Sequence, residues 1–132
     1  PAARVALKSA QLNTSSKLLA AAGRLEDREL LAAHCRLDLA VLTRIVQRAD
    51  LARLEGVGAT SSRLLEGLGI EDVASLADQS AEHLLFRLRE LHARARLTRR
   101  LPSVREIQAW IDQARQLPKL VSYARRIHKA AR

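Results

Sequence analysis

Gly56-Val57-Gly58, followed by Thr60, Ser61 and Arg63, is the stretch of this sequence best able to hold an anion. Two glycines around one apolar residue permit positive φ and leave backbone N–H groups uncovered. The hydroxyls add donors and the arginine adds charge, so together they can form a positive nest for a phosphate oxygen. The same chemistry is available to the arginine run Arg87, Arg89, Arg94, Arg96, Arg99, Arg100 and Arg105, continued by Arg125 and Arg126. Guanidinium forks grip phosphate and carboxylate alike, so the run suits a nucleic acid or an acidic protein surface. Trp110, Leu120, Tyr123 and Ile127 are the candidates for an apolar interface.

Other chemistry lacks its residues. The four histidines, 34, 83, 92 and 128, show no metal-ligand spacing, and neither a phosphate-binding P-loop nor a G-x-S-x-G nucleophile turn occurs. His34 and Cys35 are adjacent, which on a helix turns their side chains about 100° apart and spoils them as a base and nucleophile. Ser15, Ser16, Ser61 and Ser62 stand at helix starts, where capping accounts for them. The expectation is therefore no catalytic residues, no metal and no cofactor.

Charge is uneven along the chain. Residues 1–50 carry eight basic and five acidic side chains, residues 51–86 two and six, and residues 87–132 thirteen and three. The glycine turn thus lies in the acidic stretch, whose field repels phosphate, and the net +9 resides in the last third. One cysteine, Cys35, forms no internal disulfide, which fits a reducing compartment. No apolar run reaches the roughly 18 residues a membrane span needs. A soluble protein of the cytoplasm or an organelle matrix is expected, with a processed N-terminus consistent with the initial Pro1.

The elements that must position these groups read as helices. Hydrophobic residues make up 48% of the chain with a single Trp, Tyr and Phe, so the core is aliphatic and favours helix packing. In the second half, Asp50 suits the cap of a short helix bearing Leu51 and Leu54. Gly56 and Gly58 suit a hairpin plugged by Val57, and Thr60 or Ser61 suits the cap of a helix bearing Leu64, Leu65 and Leu68. Gly69 suits its left-handed terminator, and Ser80 the cap of a longer helix with Leu84, Leu88, Leu91 and Ala95 on one face. Earlier in the chain, TSSKLL at 14–19 repeats the later TSSRLL at 60–65. Gly23 then falls opposite Gly69, and Glu26-Asp27 opposite Glu71-Asp72, which reads as an internal duplication.

A stripe of Leu39, Leu42, Ile45 or Val46, and Ala49 predicts a helix joining the two copies through a shared core. Past Pro102, Ser103 and Glu106 spell a capping box, and Val104, Ile107, Ile111, Ala114 and Leu117 predict a buried face. After Pro118 the spacing of Leu120, Ala124, Ile127 and Ala131 predicts a final amphipathic helix.

The stretch ADLARLEGVGATSSRLLEGLGI resembles a helix-hairpin-helix unit. With RRLPSVREIQAWIDQARQLP and Tyr123, the pattern over about residues 5–123 is similar to a family of tandem helix-hairpin-helix-like domains catalogued as a domain of unknown function. The resemblance implies hairpins able to hold DNA phosphates through the amides at Gly56-Gly58.

The expected fold is all-α: one domain over 1–132, with a first repeat at about 5–49, a second at about 50–98 and C-terminal helices at about 103–132. The expected role is a non-enzymatic adaptor or structural subunit that packs into a larger protein assembly. Its arginines would meet acidic partner surfaces and its tail stripe a neighbour's groove. The competing reading is a nucleic-acid-binding module built on the Gly56-Gly58 turn and the basic last third. The oligomeric state and the partner are not legible.

Overall fold

The computed structural model describes residues 2–12, 14–96 and 98–124, and every regular element among them is an α-helix. The chain divides into two units. One contains the residues up to Ala49 and those from Leu120 onward, and the other runs from Asp50 to Lys119.

In the first unit, α1 (Ala2–Ser9), α2 (Ser15–Ala22), α3 (Leu25–Cys35) and most of α4 (Leu39–Leu51) surround Leu7, Leu18, Leu19, Ala22, Leu42 and Val46. The predicted stripe of α4 does its work here: Leu42 and Val46 are fully buried, and Ala49 and Ile45 join the same cluster. Thr14 starts α2, its hydroxyl accepting from the Lys17 amide at 3.2 Å. Two helices end in residues of positive φ other than glycine. Gln11 after α1 (φ 65°) and Arg36 after α3 (φ 55°) each turn the chain so that the next amide reaches back to the last helical turn. Leu12 N donates to Leu7 O at 2.9 Å and Leu37 N to Ala32 O at 2.8 Å.

The tail departs from the helical expectation. Leu120–Tyr123 is a strap without regular secondary structure, with Val121 buried in the core of the first unit and Leu120 and Tyr123 exposed. Ile127, Arg125, Arg126 and the rest of the predicted helix face lie outside the described residues. Gly23 explains the strap. It is not the left-handed terminator its alignment with Gly69 suggests, since its φ is −65°. A Cβ there would run into the Leu120 carbonyl and lie 2.7 Å from Leu19 O, so the absence of a side chain is what lets the strap approach. Ser122 N donates to Gly23 O at 2.9 Å.

The second unit consists of α5 (Ala59–Gly67), α6 (Val73–Ala77), α7 (Ala81–Arg94) and α8 (Val104–Gln116), with α8 packed on α6 and α7. Leu65, Leu76, Leu84, Leu88, Ile107 and Ile111 form its centre. Asp72, Ser80 and Ser103 cap α6, α7 and α8 through their side chains. Gly69 ends α5 as predicted: with φ 80° it lets Ile70 N donate to Leu65 O and its own amide to Glu66 O, both at 2.9 Å. Ile70 then packs with Leu65 in the core. Val104, placed on the buried face by its spacing, is exposed, because the first residue of a capped helix points back past the end of its packing partner. The described helices include none long and apolar enough to cross a membrane.

Candidate docking surface

Two groups of residues carried the functional expectations, and the structure treats them differently. In the hairpin only Gly56 takes positive φ (83°); Gly58 is extended at φ −89° and serves as the N-cap of α5. Thr60 and Ser61 therefore lie inside the first turn of α5 and cap nothing. The helix begins two residues before Ser61, because a glycine cap leaves Ala59 free to adopt helical dihedrals. Asp50, predicted to start a helix, sits instead in the last turn of α4. Val57 is buried in the core of the second unit, as its place between the glycines predicts. Gly58 gives the first amides of α5 no side-chain cap, and a Cβ there would meet nothing within 4 Å. Arg63 is exposed on the same helix.

The arginine run separates into bonded and open members. Arg87 is half-buried and donates to Leu68 O at 2.7 Å, which fixes the end of α5 to α7. Arg100 holds Glu106 at 3.1 Å, and Glu106 also receives the hydroxyl of Ser103, completing the capping box of α8. The Arg100 hydrogen bond draws the Glu106 carboxyl below its ordinary value. Arg89, Arg94, Arg96, Arg99 and Arg105 are exposed, and among the described residues none of them makes an ion pair. They occupy the outer side of α7, the connection to α8 and the first turn of α8. Phe86, which the sequence reading did not single out, stands on α7 one turn before Arg89 and is 58% exposed.

Trp110, a candidate for the interface, is instead a core residue of the second unit, its ring packed with Ile107 and Ile111 and its Nε1 facing the Gly56 turn. Leu120 and Tyr123 are exposed, but both belong to the strap. A groove of about 450 Å³ between α6 and α8, lined by Ala74, Ala77, Ala114, Arg115 and Lys119, includes none of the predicted site residues.

Two charged residues that matter most to the architecture escaped the sequence. Arg28 is 1% exposed and spends its donors on oxygens. Nε reaches Thr43 Oγ1 at 3.0 Å, Nη1 reaches Ala22 O and Gly23 O at 3.2 and 2.9 Å, and Nη2 reaches Ser122 O at 2.8 Å. Tyr123 lies over the guanidinium, 5.6 Å from ring centroid to Cζ, and its hydroxyl accepts from Gln47. Burial holds the Arg28 pKa below its ordinary value. Asp50, 2% exposed, accepts from Arg53 at 2.7 Å and from the amide of Val73 at 2.8 Å. Arg28 was not singled out by the sequence, and Asp50 was read only as a local helix cap.

These features define an all-helical protein with an arginine-rich outer surface on its second unit. The family model described as a domain of unknown function (DUF4332) matches residues 1–117, and the chain belongs to that family. No curated protein and no solved structure matches the chain.

Proposed function

We propose that the protein is a non-enzymatic helical adaptor or structural subunit of a larger protein assembly, with the surface of α7 and the α7–α8 connection as its docking face. The observation that carries this reading is the group Arg89, Arg94, Arg96, Arg99 and Arg105, exposed and without ion pairs among the described residues, beside an exposed Phe86. Cations that fold stability leaves unpaired are free to steer an acidic partner. An adjacent aromatic side chain supplies the apolar contact that interface centres favour. The helix-hairpin-helix-like turn at Gly56-Gly58 serves shape in this reading, and the likeness of the two TSS stretches reflects a duplication kept for packing.

The test is a native pull-down with the intact chain, repeated with Arg94, Arg99 and Arg105 all changed to Glu. A protein partner retained by the parent and lost by the variant, at unchanged melting temperature, supports the docking face. Retention by both removes it.

One observation favours the alternative of nucleic-acid binding: the first amides of α5 carry no side-chain cap, and Gly58 leaves them open. Binding to duplex and single-stranded DNA across a salt series decides it. A steep salt dependence weakened by Gly58→Val would put the phosphate reading first, because the valine meets open space and blocks the turn without disturbing it.

A further inference from the structure

The strap Leu120–Tyr123 closes the first unit by means that differ from those holding its helices together. It buries one side chain, Val121, while Leu120 and Tyr123 remain 40% and 45% exposed. Its attachment is otherwise polar and centres on Ser122, with Tyr123 adding its ring against Arg28 and a hydroxyl that accepts from Gln47. Ser122 donates its amide to Gly23 O, accepts from Leu25 N on Oγ at 3.1 Å and accepts from Arg28 Nη2 on its carbonyl at 2.8 Å. The hydroxyl takes the place of an N-cap, because Arg24, at the cap position of α3, supplies no side-chain acceptor. A segment held by few buried apolar contacts and several hydrogen bonds opens at lower cost than the helices beneath it.

Arg28 gives that opening a consequence. Among the described residues no carboxylate pairs with it. Its acceptors are a hydroxyl and three backbone carbonyls, and one of those carbonyls belongs to the strap. Glu29, its neighbour on α3, favours the Arg28 charge through space without forming an ion pair with it, and Glu26 and Asp27 lie 3.5 and 3.8 Å from Arg24. A charged donor in a desolvated setting binds a carboxylate more strongly than a neutral carbonyl.

We propose that Leu120–Tyr123 is a reversible latch that opens while α2, α3 and α4 stay folded, and that the open form presents Arg28 to a carboxylate on an extended acidic segment of a partner protein. The latch stands on its own observations. The acidic partner rests on the docking reading above and adds a second contact, on the first unit.

Hydrogen exchange on the full chain tests the latch. The amides of Ser122 and Leu25 should exchange at least about tenfold faster than that of Leu42 in α4, and Ser122→Ala should widen the difference without changing Leu42. Equal rates for all three amides would mean the strap leaves only when the unit unfolds, and would end the proposal.

The acceptor is tested on the full-length Ser122→Ala chain with a labelled hexapeptide copying residues 119–124, carrying aspartate in place of the serine. Binding is expected, at least about tenfold tighter than for the alanine version of the peptide, and weakened by adding Arg28→Lys. Changing Arg94 and Arg99 to Glu should leave it unaltered. Equal affinity for the two peptides, or an aspartate preference that survives Arg28→Lys, would overturn the Arg28 site, because the replaced serine side chain also faces the Leu25 amide. If the peptide fails to bind while charge reversal at Arg94, Arg99 and Arg105 still abolishes partner capture, the Arg28 site falls and the docking face stands. The reverse pattern removes the docking face alone.

Discussion

The carboxylate of Asp50, at the end of α4, accepts the first amide of α6 from Val73 at 2.8 Å, across 23 residues of chain. Asp72, the local cap of α6, takes the amide of Ser75, so the start of a five-residue helix is held by two carboxylates. Both favour the positive end of the helix dipole. The other Asp50 oxygen is held by Arg53, whose second nitrogen reaches Pro118 O at 3.0 Å. One buried charge thereby organises three segments of the second unit.

Asp50→Ala is expected to destabilise the second unit by about 3 kcal/mol, because the Val73 amide and the Arg53 guanidinium both lose their acceptor. Asp50→Asn keeps an oxygen for Val73 but turns its NH2 toward Arg53, which loses its acceptor, so it should cost nearer ~2 kcal/mol. Urea denaturation followed by circular dichroism separates the two. Equal effects would show that the amide contact contributes little.

Two glycines, both of negative φ but one helical and one extended, should respond in opposite ways to a side chain. Gly23 has φ −65° and no room, since a Cβ meets the Leu120 carbonyl. Gly58 has φ −89° and open space. Gly23→Ala should therefore lower stability by about 2 kcal/mol or more through loss of the strap. At Gly58 the better substitution is serine, whose hydroxyl can accept an amide of the first turn of α5 and add about 0.3 kcal/mol. Thermal melts of the two variants check both signs.

How far the sequence exposes this structure depends on how local each cause is. Leu84 and Leu88, Ile107 and Ile111, the caps Ser80 and Ser103, and the terminator Gly69 were legible because periodicity and capping act within one or two turns. The start of α5 was not: Thr60 and Ser61 are better caps than Gly58, but Ala59 extends the helix over them once a glycine permits it. Gly23 looked like a second Gly69 because its true partner, the strap, arrives from the far end of the chain; the bond between Leu25 and Ser122 spans 97 residues. Arg28 and Asp50 stayed hidden for a related reason. A charged residue reads as surface until the carbonyls or amides that satisfy it are brought together by tertiary packing. Among the candidate arginines, the sequence could not tell Arg87, spent on a helix end, from Arg94 or Arg99, which are open.

Arg36 and Gln11 offer stabilisation at positions that touch no candidate site. Each is a side-chain-bearing residue held at positive φ to end a helix, a conformation that costs L-residues about 1 kcal/mol and glycine little. Arg36→Gly should raise stability by up to about 0.5 kcal/mol after the larger entropy of an unfolded glycine is taken into account. A loss instead would mean that the Arg36 side chain makes a favourable contact outweighing its backbone strain.

The capping box of α8 gives a pH prediction whose sign follows from the direction of one shift. Arg100 and Ser103 hold Glu106 in its charged form, so its carboxyl titrates lower in the folded chain than in the unfolded one. A lowered folded value means the stabilisation is present above the unfolded carboxylate pKa of about 4.3 and disappears as pH falls through the folded value. A side-chain carboxyl titration by NMR should place Glu106 below the ordinary glutamate value. Arg100→Ala should move it back up, and the first turn of α8 should fray in acid sooner than in the parent. An unmoved Glu106 titration in Arg100→Ala would mean that the hydroxyl and amide of Ser103, and not the guanidinium, set its acidity.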